Sequence, residues 1–427
     1  MDVEKRKEEL SKIRFEGKPQ QTGLKLYYGN TSHVHDAFMI PLDLLIYNKY
    51  NGRIGAQVKS YERVNKSLDP ENKHDVEIIE KFLWDSKLDR NKKTRDGLLE
   101  EGQRLYGIVT NDGRIIDGNR RACLLKSIMA DGKISYEKKS HCSKFLAIIL
   151  PEDMEKKDIM MLETSIQMGE EEKVDYDPIE KYLKCKDLID EGFTTKDISS
   201  FMKIEVKKVE EYLDILRLMN EYLEYCGYNG LYTMLSKTED PFINLDKWMK
   251  SYTKRTAKAD WKYRAEDISE LKMISFDYIR ARYEGKEFRD IGSTSRGGSI
   301  FKTHNAWDAF KENHFKNITP AADEERPVSE YRREIKGGDI TKVLEARDGE
   351  WREKVKENLK TNLKDAVDIK DGVQQNNPLK QLDKVETALK SIDPSTASFK
   401  NGEVLPALQR VERHVANLIK SWGQTDV

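Results

Sequence analysis

The sequence is short of the features that mark several large classes of protein. It has no run of about 18 consecutive apolar residues, so no membrane-spanning helix is expected. The opening stretch MDVEKRKEELSKIRFEG is charged and amphipathic and lacks the apolar centre of a secretory signal, so the cytoplasm is the expected location. Cysteine is scarce: four residues, at 123, 142, 185 and 226, with no C-x-x-C pair and no paired histidines at metal-ligand spacing. A disulfide framework and a zinc site are therefore not expected, and the thiols read as reduced and mostly buried. His33, His35 and Asp36 lie together without a fourth partner and read as a polar surface turn, so no metal site is assigned. An excess of charge of one sign is also missing. With 75 Lys and Arg against 76 Asp and Glu the formal net charge is -1, and any contact with nucleic acid has to come from a local patch.

What is present is enough apolar material, 37% of 427 residues, for several modest cores in about two to four domains. The most informative stretch is Tyr106 to Met129, YGIVTNDGRIIDGNRRACLLKSIM. Tyr106, Ile108 and Val109 read as a strand, Asn111-Asp112-Gly113 as a tight turn that needs positive φ, and Ile115-Ile116 as the returning strand. Asp117-Gly118-Asn119 then breaks the strand. From Arg120 onward, Leu124, Leu125, Ile128 and Met129 fall at helical spacing. Arg120 and Arg121 thus open a helix just after a glycine, where unpaired N–H groups and guanidinium forks suit a phosphate. The local pattern is equally compatible with Asp117 capping the helix while both arginines pair with nearby carboxylates.

The stretch DGNRRACLL resembles the Gly-Glu-Arg-Arg box of the ParB/sulfiredoxin superfamily, a turn at a helix start that holds a nucleoside triphosphate. Upstream, MIPLDLLIYNKYNGRIG (Met39 to Gly55) is similar to the first ParB segment, with Asn51-Gly52-Arg53 as its Asn-x-Arg, and LLEEGQ (Leu98 to Gln103) resembles the helix end and turn before the central hairpin. Downstream, Glu163 to Met219 resembles the segment from the Glu-Asn-x-Gln-Arg box through the ParB helix-turn-helix. The resemblance covers roughly residues 39 to 219. It implies an α+β ParB/sulfiredoxin-like domain with CTP or ATP and Mg²⁺ held by Arg53, Asp117, Gly118, Asn119, Arg120, Arg121, Glu163 and Gln167. The chain departs from the pattern at two boxes: Asn119 stands where Glu is usual, and Thr164-Ser165-Ile166-Gln167-Met168 lacks the arginine of the third box. Cys123 is not in the position of the sulfiredoxin cysteine, which directly follows the glycine.

Four regions are expected: a nucleotide-binding domain over 1–155, a helix-turn-helix domain over 156–225, a basic helical extension over 226–320, and a linker with a helical C-terminal bundle over 321–427. In the second, Asp177 and Pro178 open a helix with Ile179, Tyr182, Cys185, Leu188 and Ile189 inward, Gly192 ends it, and Thr194 or Thr195 caps the next. The third helix offers Lys207 and Lys208, with Glu205, to a major groove, and Thr195 joins them as a candidate DNA contact. Across Pro178–Leu218, however, eight basic side chains face nine acidic ones. Between Lys250 and Lys302 the balance is +5, with interleaved aromatics that read mostly as core, and the loop Phe288 to Phe301 offers Arg289 and Arg296. Lys87 to Arg95 reads as an exposed loop, and AADEERPVSEYRREIKGGD as a polar linker. Beyond it, Trp351, Val355, Leu359 and Leu363 line one helix, Leu379, Leu382, Leu389 and Ile392 a second, and Val404, Leu408, Val411, Val415, Leu418 and Trp422 form a short a/d seam suited to a homodimer. The expected function is ParB-like DNA binding gated by a nucleotide. The alternatives are a nuclease, NTP hydrolase or small-molecule kinase of this fold, or a non-catalytic adaptor of a plasmid, phage or defence operon.

Overall fold

A computed structural model describes residues 1–29, 31–168, 178–295, 298–334, 340–374 and 378–422. The chain is a mixed α+β protein with one sheet near its N-terminus and helices after it. Helix α1 (Val3–Glu16) precedes β1 (Gln21–Tyr28) and β2 (Thr31–Pro41). Helices α2 (Gly55–Val64), α3 (Lys73–Asp85) and α4 (Leu88–Glu101) lead to the hairpin β3 (Gly107–Val109) and β4 (Ile115–Asp117). Then come α5 (Asn119–Ala130), the single turn α6 (Tyr136–Lys139), β5 (Lys144–Ile149) and α7 (Lys156–Met168). The strand order is β1-β2-β5-β3-β4, antiparallel except where β3 runs parallel to β5.

β5 is central because its sequence is apolar on both faces. Phe145, Ala147 and Ile149 point into a core with Ile54, Val58, Ile79, Leu124 and Leu125, beneath α2 to α5. Leu146 and Ile148 point the other way, toward Leu26, Ile108, Ile116 and Leu162 of α7. The sheet is therefore covered on both sides, and the β4–α5 turn emerges at its edge.

Two readings of this region are corrected. Lys87 to Arg95 is not a loop but belongs almost wholly to α4, where lysine and arginine are good helix formers and buried Asn91 donates from Nδ2 to the carbonyls of Leu83 and Trp84, 3.0 and 2.6 Å away. His33 and His35 are not in a turn but on β2, His33 stacked on Tyr28 at 4.0 Å and His35 Nε2 3.0 Å from the Tyr28 hydroxyl.

Helices α8 (Pro178–Asp190), α9 (Thr195–Met202) and α10 (Val206–Tyr225) follow with the expected turns. Gly192 adopts φ +88°, and Thr194, rather than Thr195, caps α9 in a reciprocal box with Asp197. Asp177, the expected cap of α8, lies outside the described residues, as do Glu170 to Glu172 and Arg296. Cys185, Leu188, Ile198, Met202 and Val209 close a small core, against which Met160 and Met168 of α7 pack.

The second half of α10 enters a larger core built with α11 (Glu239–Thr253), α12 (Ala265–Arg280), α13 (Gly285–Gly292) and α14 (His304–Asn317). Tyr252, Phe276, Tyr278, Phe288 and Trp307 are buried there, so these aromatics serve packing. The polar stretch after 320 is helical in part, and its residues 335–339 lie outside the described residues: α15 (Pro320–Asp323) and α16 (Val328–Glu334) flank Glu325, which pairs with Arg280 Nη1 at 2.5 Å in the interior. Helix α17 (Ile340–Gln374) lays Trp351, Val355, Leu359 and Leu363 into the same core, continuing it to Ala366. α18 (Pro378–Lys390) and α19 (Val404–Trp422) come last, with Leu382, Leu405, Leu418 and Ile419 exposed. Among the described residues, no helix is long and apolar enough to cross a membrane.

Candidate functional site

The β4–α5 turn requires glycine. Gly118 has φ +106°, and a Cβ there would lie 2.5 Å from Phe145 Cζ. The backbone therefore passes against the sheet and turns directly into α5, whose first residue is Asn119. No side chain caps this helix. The N–H groups of its first turn have no intrahelical acceptor and carry the positive end of the helix dipole.

Asp117 does not cap the helix either. Its Oδ2 accepts from Arg121 Nη2 at 2.6 Å, while Arg121 Nη1 donates to the carbonyl oxygens of Leu105 and Tyr106. Arg121 thus makes the carboxylate pairing foreseen for it. Asn119 is buried, accepting at Oδ1 from the Asn48 N–H at 2.9 Å and donating from Nδ2 to the Ile115 carbonyl at 3.3 Å. It braces the turn against the loop after β2.

That loop delivers Arg53. Asn51 Oδ1 accepts from the Arg53 N–H at 3.2 Å, and Gln167 Oε1 accepts from the Gly52 N–H at 3.2 Å. Burial lowers the pKa of the Arg121 guanidinium; the charge of Arg53 lowers it further, and Asp117 opposes both. The consequence is crowded positive charge, since arginine does not give up its proton.

Arg53, Asp117, Gly118, Asn119, Arg120 and Arg121 all line one cleft of about 880 Å³. Its other walls are β1 with Leu26 and Tyr27, Leu105 and Tyr106, the Met161–Ile166 side of α7, and the end of α9 with Phe201 and Lys203. The cleft thus has a basic rim and an apolar wall, which suits an amphipathic anion.

Glu163 and Gln167 are not in the lining. They are buried behind it, where Glu163 Oε1 accepts from Asn48 Nδ2 at 2.8 Å and from Gln167 Nε2 at 3.0 Å, and Oε2 pairs with Lys184 Nζ at 3.1 Å. Gln167 Nε2 also reaches the Ile116 carbonyl at 3.2 Å. Both residues therefore brace the loops that carry Arg53 and Gly118.

Sequence reasoning missed Lys203, Phe201 and Lys184. Lys203 adopts φ +54° at the end of α9, a conformation more usual for glycine, and nothing in its neighbours signalled that it would meet the cleft of the Gly118 turn. Lys184 sits four residues after Glu180, and a second charged residue on an otherwise apolar helical face was the available signal.

The DNA-contact candidates lie outside the cleft lining. Thr195 is half-buried in the first turn of α9, and Lys207 and Lys208 are exposed in the first turn of α10. Lys208 pairs with Glu211 at 3.1 Å and lies 5.2 Å from the Tyr212 ring centroid. Glu205 and Glu210 are also exposed there, so the helix end has mixed charge. All four cysteines are free and buried, and burial pushes the Cys123 thiol up to about 12, which disfavours the reactive thiolate.

No protein-family model matches the chain, and no curated protein matches it either.

Proposed function

We propose that this is a ParB-like DNA-binding protein whose helix-turn-helix, α8 to α10, is gated by a nucleoside triphosphate, CTP or ATP, in the Gly118 cleft. The observation that carries this reading is that Arg53, Arg120 and Arg121, from two separate sequence boxes, share one cleft with Lys203 of α9. Phosphates would sit on the first turn of α5 and on these guanidiniums, and the base against Tyr27, Tyr106 or Phe201. An anion held between the arginines and Lys203 would draw α9 toward the sheet and so set the attitude of α10.

Mobility shift of duplex DNA, with and without CTP or ATP, tests this. A nucleotide-dependent change in affinity is expected, and it should vanish in the Arg120→Ala/Arg121→Ala variant. Lys207→Ala/Lys208→Ala should weaken DNA binding and reduce the slope of log affinity against log salt by about two. DNA mobility indifferent to both nucleotides would defeat the gating reading.

Binding is favoured over catalysis because Asp117, the one carboxylate among the described lining residues, is occupied by Arg121. A second reading, a non-catalytic adaptor, draws on the mixed charge at the start of α10 and predicts nucleotide binding without DNA binding. We further propose a homodimer formed through α19, on the exposed Val415 and Leu418 of its a/d seam. Light scattering should give twice the chain mass, reverting to the single mass in Leu418→Asp.

A further inference from the structure

The resemblance to ParB proteins implies a Mg²⁺-bound triphosphate, with the acid and amide of the third box near the metal. The corresponding side chains here do not fit a divalent cation. Magnesium needs oxygen ligands in near-octahedral order at about 2.0–2.1 Å. Both Glu163 oxygens already accept from protein donors: Oε1 from Asn48 and Gln167, and Oε2 from the Lys184 ammonium. Gln167 turns its own oxygen to the Gly52 N–H. Neither residue lines the cleft, and an ammonium 3.1 Å from Glu163 Oε2 would repel a dication placed there. Among the described residues, no group of three or more His, Cys, Asp or Glu side chains could hold a metal.

The cleft carries its own positive charge instead. Among the described residues its lining holds Lys25, Arg53, Arg120, Arg121 and Lys203 and one acid, Asp117. A free triphosphate has about two more negative charges than its magnesium complex, so fixed cations in excess among the described lining residues attract the metal-free form more strongly.

We infer that the cleft binds polyphosphate as the metal-free anion, with Lys184 holding Glu163 in the charge pairing that a cation would otherwise provide. This inference rests on the reading of the cleft as a polyphosphate site. Inorganic triphosphate and the nucleotides CTP and ATP share the chemistry concerned.

Calorimetric titration of the full chain with each of the three, once in EDTA and once in excess Mg²⁺, provides the test. Binding in EDTA is expected, with affinity lowered several-fold by Mg²⁺. Tighter binding of a nucleotide than of inorganic triphosphate would identify the base as part of the ligand, and equal affinity would identify the phosphates alone; both agree with the inference. Binding only in Mg²⁺ overturns the inference and leaves the polyphosphate site standing. Binding in neither condition overturns both. The neutral pair Glu163→Gln/Lys184→Met removes the carboxylate without stranding a buried charge. Its ratio of affinity in EDTA to affinity in Mg²⁺ should stay within about threefold of that of the unaltered chain, because charge at this pair is not a metal contact. A loss of more than tenfold in that folded variant, confined to the Mg²⁺ arm, would show that Glu163 serves a metal.

Discussion

At the scale of single residues, two backbone positions set the cleft against the stability of the fold. Gly118 is required by its φ of +106° and by Phe145. Gly118→Ala should cost about 2–3 kcal/mol in urea unfolding and weaken polyphosphate binding by displacing the first turn of α5. Lys203 is the opposite case, a side chain kept where glycine would be easier. Lys203→Gly should leave stability unchanged or raise it by up to about 1 kcal/mol, while reducing polyphosphate affinity about tenfold. The thiols give a pH dependence of definite sign. Burial raises Cys123 and Cys185 to about 12, whereas an unfolded thiol titrates near 8.5. Between those values the unfolded chain releases protons that the folded chain keeps, so stability should fall as pH rises through that window. Chemical denaturation from pH 7.5 to 10, repeated with Cys123→Ala, measures the contribution of that thiol.

At the scale of elements, the segment between α14 and α17 is held by charge inside the fold. Arg280 bonds Glu325 and also donates from Nε to Asp348 Oδ1 at 2.7 Å, Arg347 Nη2 reaches Glu325 Oε2 at 2.5 Å, and the Arg280 guanidinium lies 4.5 Å from the Trp351 ring centroid. Glu325→Ala leaves two guanidiniums short of a buried counter-charge and should destabilise by about 3–5 kcal/mol, read as a shift of the urea midpoint. The sequence made the β3–β4 hairpin, α5 and the three helices α8 to α10 legible, since each carries its own periodicity and its own turn residues. It concealed α4, whose charged residues suggested a loop, and the packing of Glu325 and Tyr331 in the stretch after 320. In the latter, Glu325 and Tyr331 are buried by partners far along the chain, and local polarity cannot report those partners.

At the scale of the whole molecule, one apolar core joins Ile179 to Ala366 and crosses the change in composition near 320. Truncation after Thr319 would strip α17 from α12 and α14, where the Tyr278 hydroxyl donates to the Leu359 carbonyl and Asn362 Nδ2 to the Phe310 carbonyl. The product should lose cooperative unfolding and become susceptible to limited proteolysis. Truncation after Gln374 removes only α18 and α19, whose apolar residues are largely exposed, and should leave the unfolding midpoint within a degree or two while abolishing the proposed dimer.

The sequence by itself determined the local chemistry: a glycine turn into a helix opened by two arginines, a tight hairpin before it, capped helices, and thiols without partners. These follow from residue periodicity, φ preference and capping, which act over a few positions. Only the tertiary structure decided that Arg53, Arg120, Arg121 and Lys203 face one cleft, and that Glu163 and Gln167 stand behind it. The reason is physical: a buried carboxylate takes whichever donors packing brings to it, and Lys184 of α8 reaches Glu163 of α7 only because the fold brings the two side chains within 3.1 Å. A motif can name the residue types of a site, but the partners those side chains find on folding decide which of them remain available to a ligand.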